Sequence, residues 1–284
     1  MIQYAQRDYI REIYMPIAII VHGGAGKAIP ERFEVLQAGC REASLVGWNV
    51  LQDGGSALDA VEAAVRSLED NPEFNAGTGA CLTTEGNIEL DAGMMEGHTL
   101  QVGAVADVER IKNPISLARK VLESPHVLLV GKGAQQFAQE QGIELCKLED
   151  LITARQYAIW KALRSGQTLE QIAGTQQEAS AESPVEEEHG TVGAVAVDTF
   201  GRLAAATSTG GISNKYPGRV GDTPLVGCGF YADENAAVSC TGQGENFVRL
   251  LLAKRAAAFV GRGDTARGAA QTAIAVLSAQ TPGK

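Results

Sequence analysis

The chain has 284 residues, of which 45 % are apolar and only 5 % aromatic, a length that suits one large domain or two modest ones. Its net charge of −10 provides no cationic surface for a phosphate backbone or an anionic membrane, so we expect neither nucleic acid nor membrane partners. The five cysteines lack CxxC spacing and the four histidines form no HExxH set, which indicates reduced thiols in a cytoplasmic protein and argues against zinc.

The first elements of the chain read as a strand, a glycine turn and two helices. Residues 1–14 differ in character from the rest of the chain, so we treat 1–15 as an extension, with Met15 as a candidate start. The apolar run 17–21 ends in "HGGAG" and predicts a buried strand entering a tight turn. Periodicity predicts a helix over 31–52 and a second helix to about Glu69, capped by Ser56 with Asp59 three residues on.

The middle of the chain alternates between short strands and helices. "NPEFNAGTGA" predicts an irregular loop, and "CLTTEGNIELDA" a hairpin. "VGAVADV" and "HVLLVG" predict strands, while "GKGAQQFAQEQG" and "ARQYAIWKALRSG" predict helices. Residues 165–190 contain six glutamates and neither lysine nor arginine, so this stretch cannot bury enough apolar area to offset chain entropy. We expect a mobile linker there.

Order returns abruptly at Gly190–Thr191. "TVGAVAVD", the turn "TFG" and "RLAAATST" predict a hairpin that is apolar on both faces and therefore covered on both sides. "AAVSCTG" predicts another buried strand, and helices are expected over 245–260 and 265–279.

A Gly–Thr pair between a linker and a buried strand permits two readings. It can simply begin a strand, or the Thr191 hydroxyl can attack the Gly190 carbonyl and cut its own backbone. Cutting would expose the Thr191 α-amine, with an unperturbed pKa of about 8, as a general base beside the hydroxyl. The pair alone leaves both readings open.

Downstream residues favour the catalytic reading. "TSTGG" (207–211) and "SCTGQGE" (239–245) end strands with hydroxyls followed by flexible backbone, which can form an oxyanion hole. Arg219 and Asp222 lie in a Gly/Pro loop between them, and together they suit the carboxylate and ammonium of an amino acid. The alternative for this pair is an ordinary surface ion pair.

These stretches resemble the plant-type L-asparaginases, or isoaspartyl peptidases, of the N-terminal-nucleophile hydrolase superfamily. The resemblance is carried, in the family's order, by "IVHGGAG", "ALDAVEAAVRSLEDNPEFNAGTGA", "ELDAGMMEG", "HGTVGAVAVD", "AAATSTGG", "NKYPGRVGDTPLVG" and "VSCTGQGE". It implies an α+β fold, a four-layer αββα sandwich, as one domain over 16–284. Cleavage would divide it into an α subunit (16–190) and a β subunit (191–284) that assemble as (αβ)₂.

The resemblance also implies a role for individual residues. Thr191 would be the nucleophile, tuned by Thr209, and Thr241 with the Gly242 N–H would form the oxyanion hole. Arg219 and Asp222 would hold the substrate head, L-asparagine or a β-aspartyl dipeptide, with the backbone of Gly242–Gly244 nearby. Gly24 and Asn75 would support the site. No cofactor is expected for catalysis, but a structural sodium ion is implied on the backbone carbonyls of Leu68, Glu69, Asn71, Phe74, Ala76 and Thr78.

One departure from the family and one rival within the superfamily keep alternatives open. Family members usually continue with further C-terminal strands beyond the last helix, whereas this sequence ends at "TPGK". The chain could therefore be an uncleaved, catalytically silent homologue. Within the superfamily, a glycosylasparaginase would use the same residues to hold its substrate, although "HGTVGAV" and the absence of a signal-peptide pattern favour the asparaginase side.

Overall fold

The computed structural model describes residues 15–26, 30–168, 171–172 and 190–280. Its helices are α1 (Pro30–Gln52), α2 (Ala57–Asp70), α3 (Pro114–Leu122), α4 (Gly131–Glu140), α5 (Ala154–Arg164), α6 (Gly244–Leu250), α7 (Leu252–Gly261) and α8 (Ala266–Gln280). Its strands are β1 (Ala18–His22), β2 (Leu90–Glu96), β3 (Val102–Val108), β4 (Leu128–Val130), β5 (Val192–Val197), β6 (Leu203–Thr209), β7 (Phe230–Ala232) and β8 (Ala237–Ser239). Residues 1–14 and most of the predicted linker lie outside the described residues.

Most predicted elements are confirmed, including the start of α2. The Ser56 hydroxyl accepts a hydrogen bond from the Asp59 N–H at 3.1 Å, and the Asp59 carboxylate accepts from the Ser56 N–H at 3.4 Å. This reciprocal pair satisfies donors that the first helical turn would otherwise leave unpaired. The helix continues to Asp70, close to the predicted end at Glu69.

Two predictions of secondary structure were wrong. The expected hairpin at "CLTTEGNIELDA" is a tight turn closed by Thr83 N–H to Asn87 O at 2.8 Å, and the strand begins only at Leu90 because Thr83 bridges to Lys215 instead. The helix expected over 245–260 breaks at Leu251, whose φ of 50° is left-handed. The turn before β7 takes the first N–H groups of α7, with Lys254 N–H donating to Gly227 O at 2.9 Å.

The strands form a six-stranded sheet in the order β1-β5-β6-β2-β3-β4, and β7 and β8 form a separate antiparallel pair. Within the large sheet only β3 and β4 run parallel to each other. The predicted β5–β6 hairpin is therefore confirmed at the centre of the sheet, where both of its faces are covered.

Four layers stack around this hairpin. Helices α2 and α3 pack on one face of the large sheet, with α1 against α2 and β1, and they enclose the main apolar core. Strands β7 and β8 pack on the other face, and α7 covers them. The two sheets approach so closely that a Cβ on Gly93 would lie 2.2 Å from the Phe230 ring, so small residues are needed here. The mixed α+β fold and its αββα layering are confirmed.

Within the described part of the chain, no helix is long and apolar enough to cross a membrane. All five cysteines fall in that part, and each is a free thiol there.

Candidate active site

Thr191 lies at the entrance to the central hairpin, directly before β5. The register that pairs Val192 with Ser208 places Thr191 beside Thr209, the last residue of β6. Thr191 is 8 % exposed. Its preceding residue must be glycine, because a Cβ on Gly190 would lie 2.5 Å from the Cβ of Asn75. Steric exclusion, in addition to backbone freedom, therefore explains the Gly–Thr pair.

A group of buried threonines surrounds this position. The Thr191 and Thr223 hydroxyl oxygens lie 3.4 Å apart, and Thr207 donates to the Thr223 carbonyl at 3.0 Å. The Thr209 hydroxyl accepts from the Gly211 N–H at 2.9 Å. Sequence reasoning missed Thr223, although it follows Asp222 directly in "GDTP". Nothing in the sequence links it to a residue 32 positions earlier.

Asn75 ties the loop after α2 to the end of β6. Its amide nitrogen donates to the Gly211 carbonyl at 2.7 Å, and its amide oxygen accepts from the Cys81 N–H at 2.8 Å. The Gly210 N–H also donates to the Asn75 carbonyl at 2.9 Å. The predicted neighbour of the site is thus buried and hydrogen-bonded at both ends of its side-chain amide.

Arg219 and Asp222 converge on the same point, but they do not pair with each other. Arg219 instead holds Glu245, with its Nη2 2.8 Å and its Nε 2.9 Å from the Glu245 Oε1. Gly244 separates the two groups: a Cβ there would lie 2.8 Å from the Asp222 Oδ1 and 3.1 Å from the Arg219 Nη2. Glu245 is a second residue that sequence reasoning missed.

Burial controls the charge of Asp222. The side chain is 3 % exposed, and burial raises its pKa to about 7. The Arg219 guanidinium lowers this pKa, whereas the negative charges of Glu245 and Asp91 raise it. The Asp222 Oδ2 has no hydrogen-bond partner among the described residues. A buried carboxylate oxygen without a donor is costly, which makes Oδ2 a natural acceptor for a ligand ammonium.

The predicted oxyanion-hole residues follow β8. The Thr241 hydroxyl is buried and has no hydrogen-bond partner in the described part of the chain. Gly242 has a φ of 149°, and a Cβ there would lie 2.7 Å from the Phe247 ring. Only glycine suits this backbone and this space.

The structure brings most of the predicted site residues together around one cavity. Its lining includes Thr191, Thr209, Arg219, Asp222, Gly242 and Gly244. Its volume is about 10 Å³, close to the minimum for a single water molecule. Gly24, Asn75 and Gly190 line a separate, larger cavity next to it. In the continuous chain the site therefore has no room for an amino acid.

His22, at the end of β1, is half-buried and pairs with Gly193, two residues after Thr191. Burial lowers its pKa to about 4, so the ring is neutral near pH 7. Its Nε2 lies 2.6 Å from the Ser239 hydroxyl oxygen, and its Nδ1 has no hydrogen-bond partner among the described residues. Sequence reasoning noted only the glycines after it.

The loop from 68 to 78 offers backbone carbonyl oxygens, the type of ligand that hard cations prefer. Within the described residues no cluster of His, Cys, Asp or Glu has metal-binding geometry. Three of the carbonyls predicted as sodium ligands already accept backbone hydrogen bonds within the loop: Leu68 from Asn71 at 3.3 Å, Glu69 from Thr78 at 2.8 Å and Asn71 from Phe74 at 3.2 Å.

The layered sheets and the buried threonine at the head of the central hairpin are the architecture of an N-terminal-nucleophile hydrolase. A family model described as Asparaginase matches residues 15–284, and the chain belongs to this asparaginase family.

Named relatives are similar over most of their length. A plant-type L-asparaginase of Pyrococcus horikoshii is 49 % identical over 266 residues, which cover 92 % of this chain and 85 % of the relative. An isoaspartyl peptidase/L-asparaginase of Rattus norvegicus is 46 % identical over 274 residues, covering 95 % and 79 %. A plant-type L-asparaginase of Thermococcus kodakarensis is 49 % identical over 267 residues, covering 92 % and 85 %.

Proposed function

We propose that this protein is a self-cleaving amidohydrolase that deamidates L-asparagine and removes the β-aspartyl residue from isoaspartyl dipeptides. The observation that carries the proposal is the buried Thr191 hydroxyl, which lies next to the Gly190 peptide bond and in one cavity with Arg219 and Asp222. The names of the relatives support both activities.

Self-cleavage prepares the nucleophile. The Thr191 Oγ bonds to the Gly190 carbonyl carbon, the C–N bond breaks, and the amine takes the hydroxyl proton. Water then hydrolyses the ester, which leaves a Gly190 carboxylate and restores the Thr191 hydroxyl. The new α-amine, with an unperturbed pKa of about 8, can accept the hydroxyl proton in each later turnover.

Turnover repeats this acyl transfer on the substrate. The Thr191 Oγ attacks the side-chain carbonyl of asparagine or the β-peptide bond of a dipeptide. The Thr241 hydroxyl and the Gly242 N–H donate to the developing oxyanion. Ammonia or an amino acid leaves with the proton from the α-amine, and water releases aspartate from the β-aspartyl ester.

Arg219 and Asp222 determine which acyl group is accepted. The guanidinium holds the α-carboxylate of the substrate, and the Asp222 Oδ2 receives its α-ammonium. Both substrates share this aspartyl head, so one site serves both. Thr209 holds the Gly211 backbone, and Gly24 would accept a hydrogen bond from the freed amine through its carbonyl.

The remaining features of the proposal concern stability and assembly. A sodium ion on the carbonyls of Leu68, Glu69, Asn71, Phe74, Ala76 and Thr78 would fix the loop that carries Asn75, without taking part in the chemistry. The two fragments would stay together and pair as (αβ)₂. A cytoplasmic location agrees with the five free thiols, because cysteines in an oxidising compartment tend to pair as disulfides.

Mass spectrometry and a denaturing gel of freshly purified protein test the proposal. We expect fragments 1–190 and 191–284, together with hydrolysis of asparagine and β-aspartyl-leucine. Thr191→Ala should abolish both cleavage and hydrolysis, whereas the control Thr199→Ala, in the β5–β6 turn, should preserve both. An intact wild-type chain that nonetheless deamidates asparagine would refute the role of the α-amine, and cleavage of Thr191→Ala at the same bond would refute the intramolecular step.

The same experiment separates the alternatives. A glycosylasparaginase would prefer glycosylated asparagine to β-aspartyl-leucine, and a silent homologue would remain a single band without activity. The names of the relatives favour neither alternative.

A further inference from the structure

The turn that carries Arg219 depends on contacts outside the cavity. The Arg219 N–H donates to the Tyr216 carbonyl at 2.9 Å, and Gly218 between them is left-handed with a φ of 79°. Tyr216 is 79 % exposed, and a Cβ on Gly218 would have no atom within 4 Å. Because the tip of this turn has so little packing, its position depends on the residues that hold its two sides.

Glu89, directly before β2, holds both sides of the turn. Its Oε2 accepts from the Gly218 N–H at 2.9 Å, and its backbone carbonyl accepts from the Lys215 Nζ at 2.9 Å. The same Oε2 lies 3.6 Å from the Lys215 Nζ. The side chains of Glu89 and Lys215 are only 7 % and 0 % exposed, so neither can replace its partner by bulk water at low cost.

The start of β2 is a fixed reference for the site. Asp91, two residues after Glu89, pairs with Thr209 at the end of β6. Strand β5, which Thr191 directly precedes, lies on the other side of β6. Glu89 therefore ties the turn to the same strands that position the nucleophile.

The Arg219 guanidinium has little freedom to move within the cavity lining. A Cβ on Gly221 would lie 3.0 Å from its Nη1, and a Cβ on Gly211 would lie 3.6 Å from the same atom. A Cβ on Gly244 would lie 3.1 Å from its Nη2. All three glycines line the cavity of the nucleophile. A displacement of the turn by about 1 Å would therefore misplace the guanidinium relative to a bound substrate.

We propose that Glu89 is a positioning residue for substrate recognition, which holds the Gly218 N–H and thereby directs the Arg219 guanidinium at the α-carboxylate of the aspartyl head. This inference rests on the proposed function, because it requires that Arg219 binds this carboxylate. Self-cleavage does not use the α-carboxylate of a substrate. Glu89 therefore acts on the capture of substrate and not on the cleavage before Thr191.

Two substitutions of Glu89 separate its contact with Gly218 from its charge. Glu89→Gln keeps a side-chain oxygen that can accept from the Gly218 N–H but removes the negative charge beside Lys215. Glu89→Asp keeps the negative charge on a side chain one methylene shorter, which no longer reaches the Gly218 N–H. The readout is the ratio of kcat/KM for L-asparagine to kcat/KM for L-asparaginamide, in which an amide replaces the α-carboxylate. A general loss of stability lowers both values and leaves this ratio unchanged.

Wild-type enzyme should prefer asparagine to asparaginamide, and Arg219→Ala should lose most of this preference. Glu89→Asp should lower the ratio about tenfold, mainly through KM for asparagine, while the chain is still cleaved before Thr191. Glu89→Gln should keep most of the ratio. The control Glu85→Ala, at an exposed glutamate in the turn before β2, should keep the wild-type ratio.

A wild-type ratio in Glu89→Asp, or a loss in Glu89→Gln as large as that in Glu89→Asp, would overturn the positioning role and leave the proposed function intact. If neither variant folds, hydrogen exchange in the wild-type protein tests the contact directly. The Gly218 amide should be protected, and exchange at the rate of a free exposed amide would overturn the inference. Wild-type enzyme that is cleaved but does not prefer asparagine to asparaginamide would contradict the proposed role of Arg219 as well.

Discussion

The raised pKa of Asp222 predicts an acidic limit on substrate capture. Burial moves this pKa from its ordinary 3.8 to about 7, so the carboxylate that would bind the substrate ammonium is protonated below that pH. The ionised fraction falls about tenfold per pH unit below the pKa. The contribution of ionised Asp222 to kcat/KM for asparagine should therefore fall about fivefold between pH 7 and 6 and about ninefold between pH 6 and 5. Binding of the ammonium favours the ionised form, so kcat should decline only at lower pH.

A substitution at Glu245 tests whether this acidic limit comes from Asp222. Its negative charge raises the pKa of Asp222, and it also engages Arg219, whose charge lowers that pKa. Glu245→Gln removes the repulsion and the ion pair together, so the acidic limb of kcat/KM should move to lower pH. The matched variant Glu234→Gln, at an exposed glutamate, should leave it in place.

The assay is the pH profile of kcat/KM between pH 4.5 and 9 at constant ionic strength. Protonation of the Thr191 α-amine adds its own decline below about pH 8, and this decline should not respond to Glu245→Gln. A limb near pH 7 that stays in place in Glu245→Gln, or a profile without any limb between pH 5 and 7, would show that Asp222 does not receive the ammonium in its ionised form.

The other predictions concern single side chains around the site. Arg219→Ala should preserve self-cleavage but lower kcat/KM by roughly a hundredfold or more, the scale of a lost charged contact of about 3 kcal/mol. Gly244→Ala should raise KM, because its Cβ would lie 2.8 Å from the Asp222 carboxylate. The control Gly261→Ala, whose Cβ would have no atom within 4 Å, should have wild-type kinetics. Lys215→Met should lower the melting temperature by roughly 10 °C, since the buried Lys215 Nζ lies 3.6 Å from the Glu89 carboxylate and breaking such a pair costs about 3–5 kcal/mol.

Local sequence signals predicted the elements of this fold, and long-range packing determined what they missed. The α2 cap and the β5–β6 hairpin are encoded within a few residues, so periodicity and capping rules found them. The break at Leu251 depends on Gly227, which takes the Lys254 N–H, and no pattern within 245–260 reveals that. The expected hairpin after 81 fails for the same reason, because Thr83 pairs with distant Lys215.

In the site, too, the sequence identified the residues, whereas long-range packing determined their partners. Residue types and spacing placed Thr191, Arg219 and Asp222 in one site, and the structure brings them to one cavity. The sequence suggested Arg219 and Asp222 as partners because they are close in the chain, yet the cation pairs with Glu245. Side-chain partners across a fold depend on the direction of each loop, which the order of residues does not specify.

The proposed cleavage does more than expose an amine. In the continuous chain the cavity at Thr191 holds about 10 Å³, and the Asp222 Oδ2 and Thr241 hydroxyl already lack hydrogen-bond partners among the described residues. A buried polar group that neither protein, water nor ligand satisfies costs on the order of 1–3 kcal/mol, so both groups are suited to bind a ligand that enters the cavity. Withdrawal of Gly190 would create the space that these groups require. The event that makes Thr191 a competent nucleophile would therefore also admit its substrate, which explains why an uncut chain should neither bind nor hydrolyse asparagine.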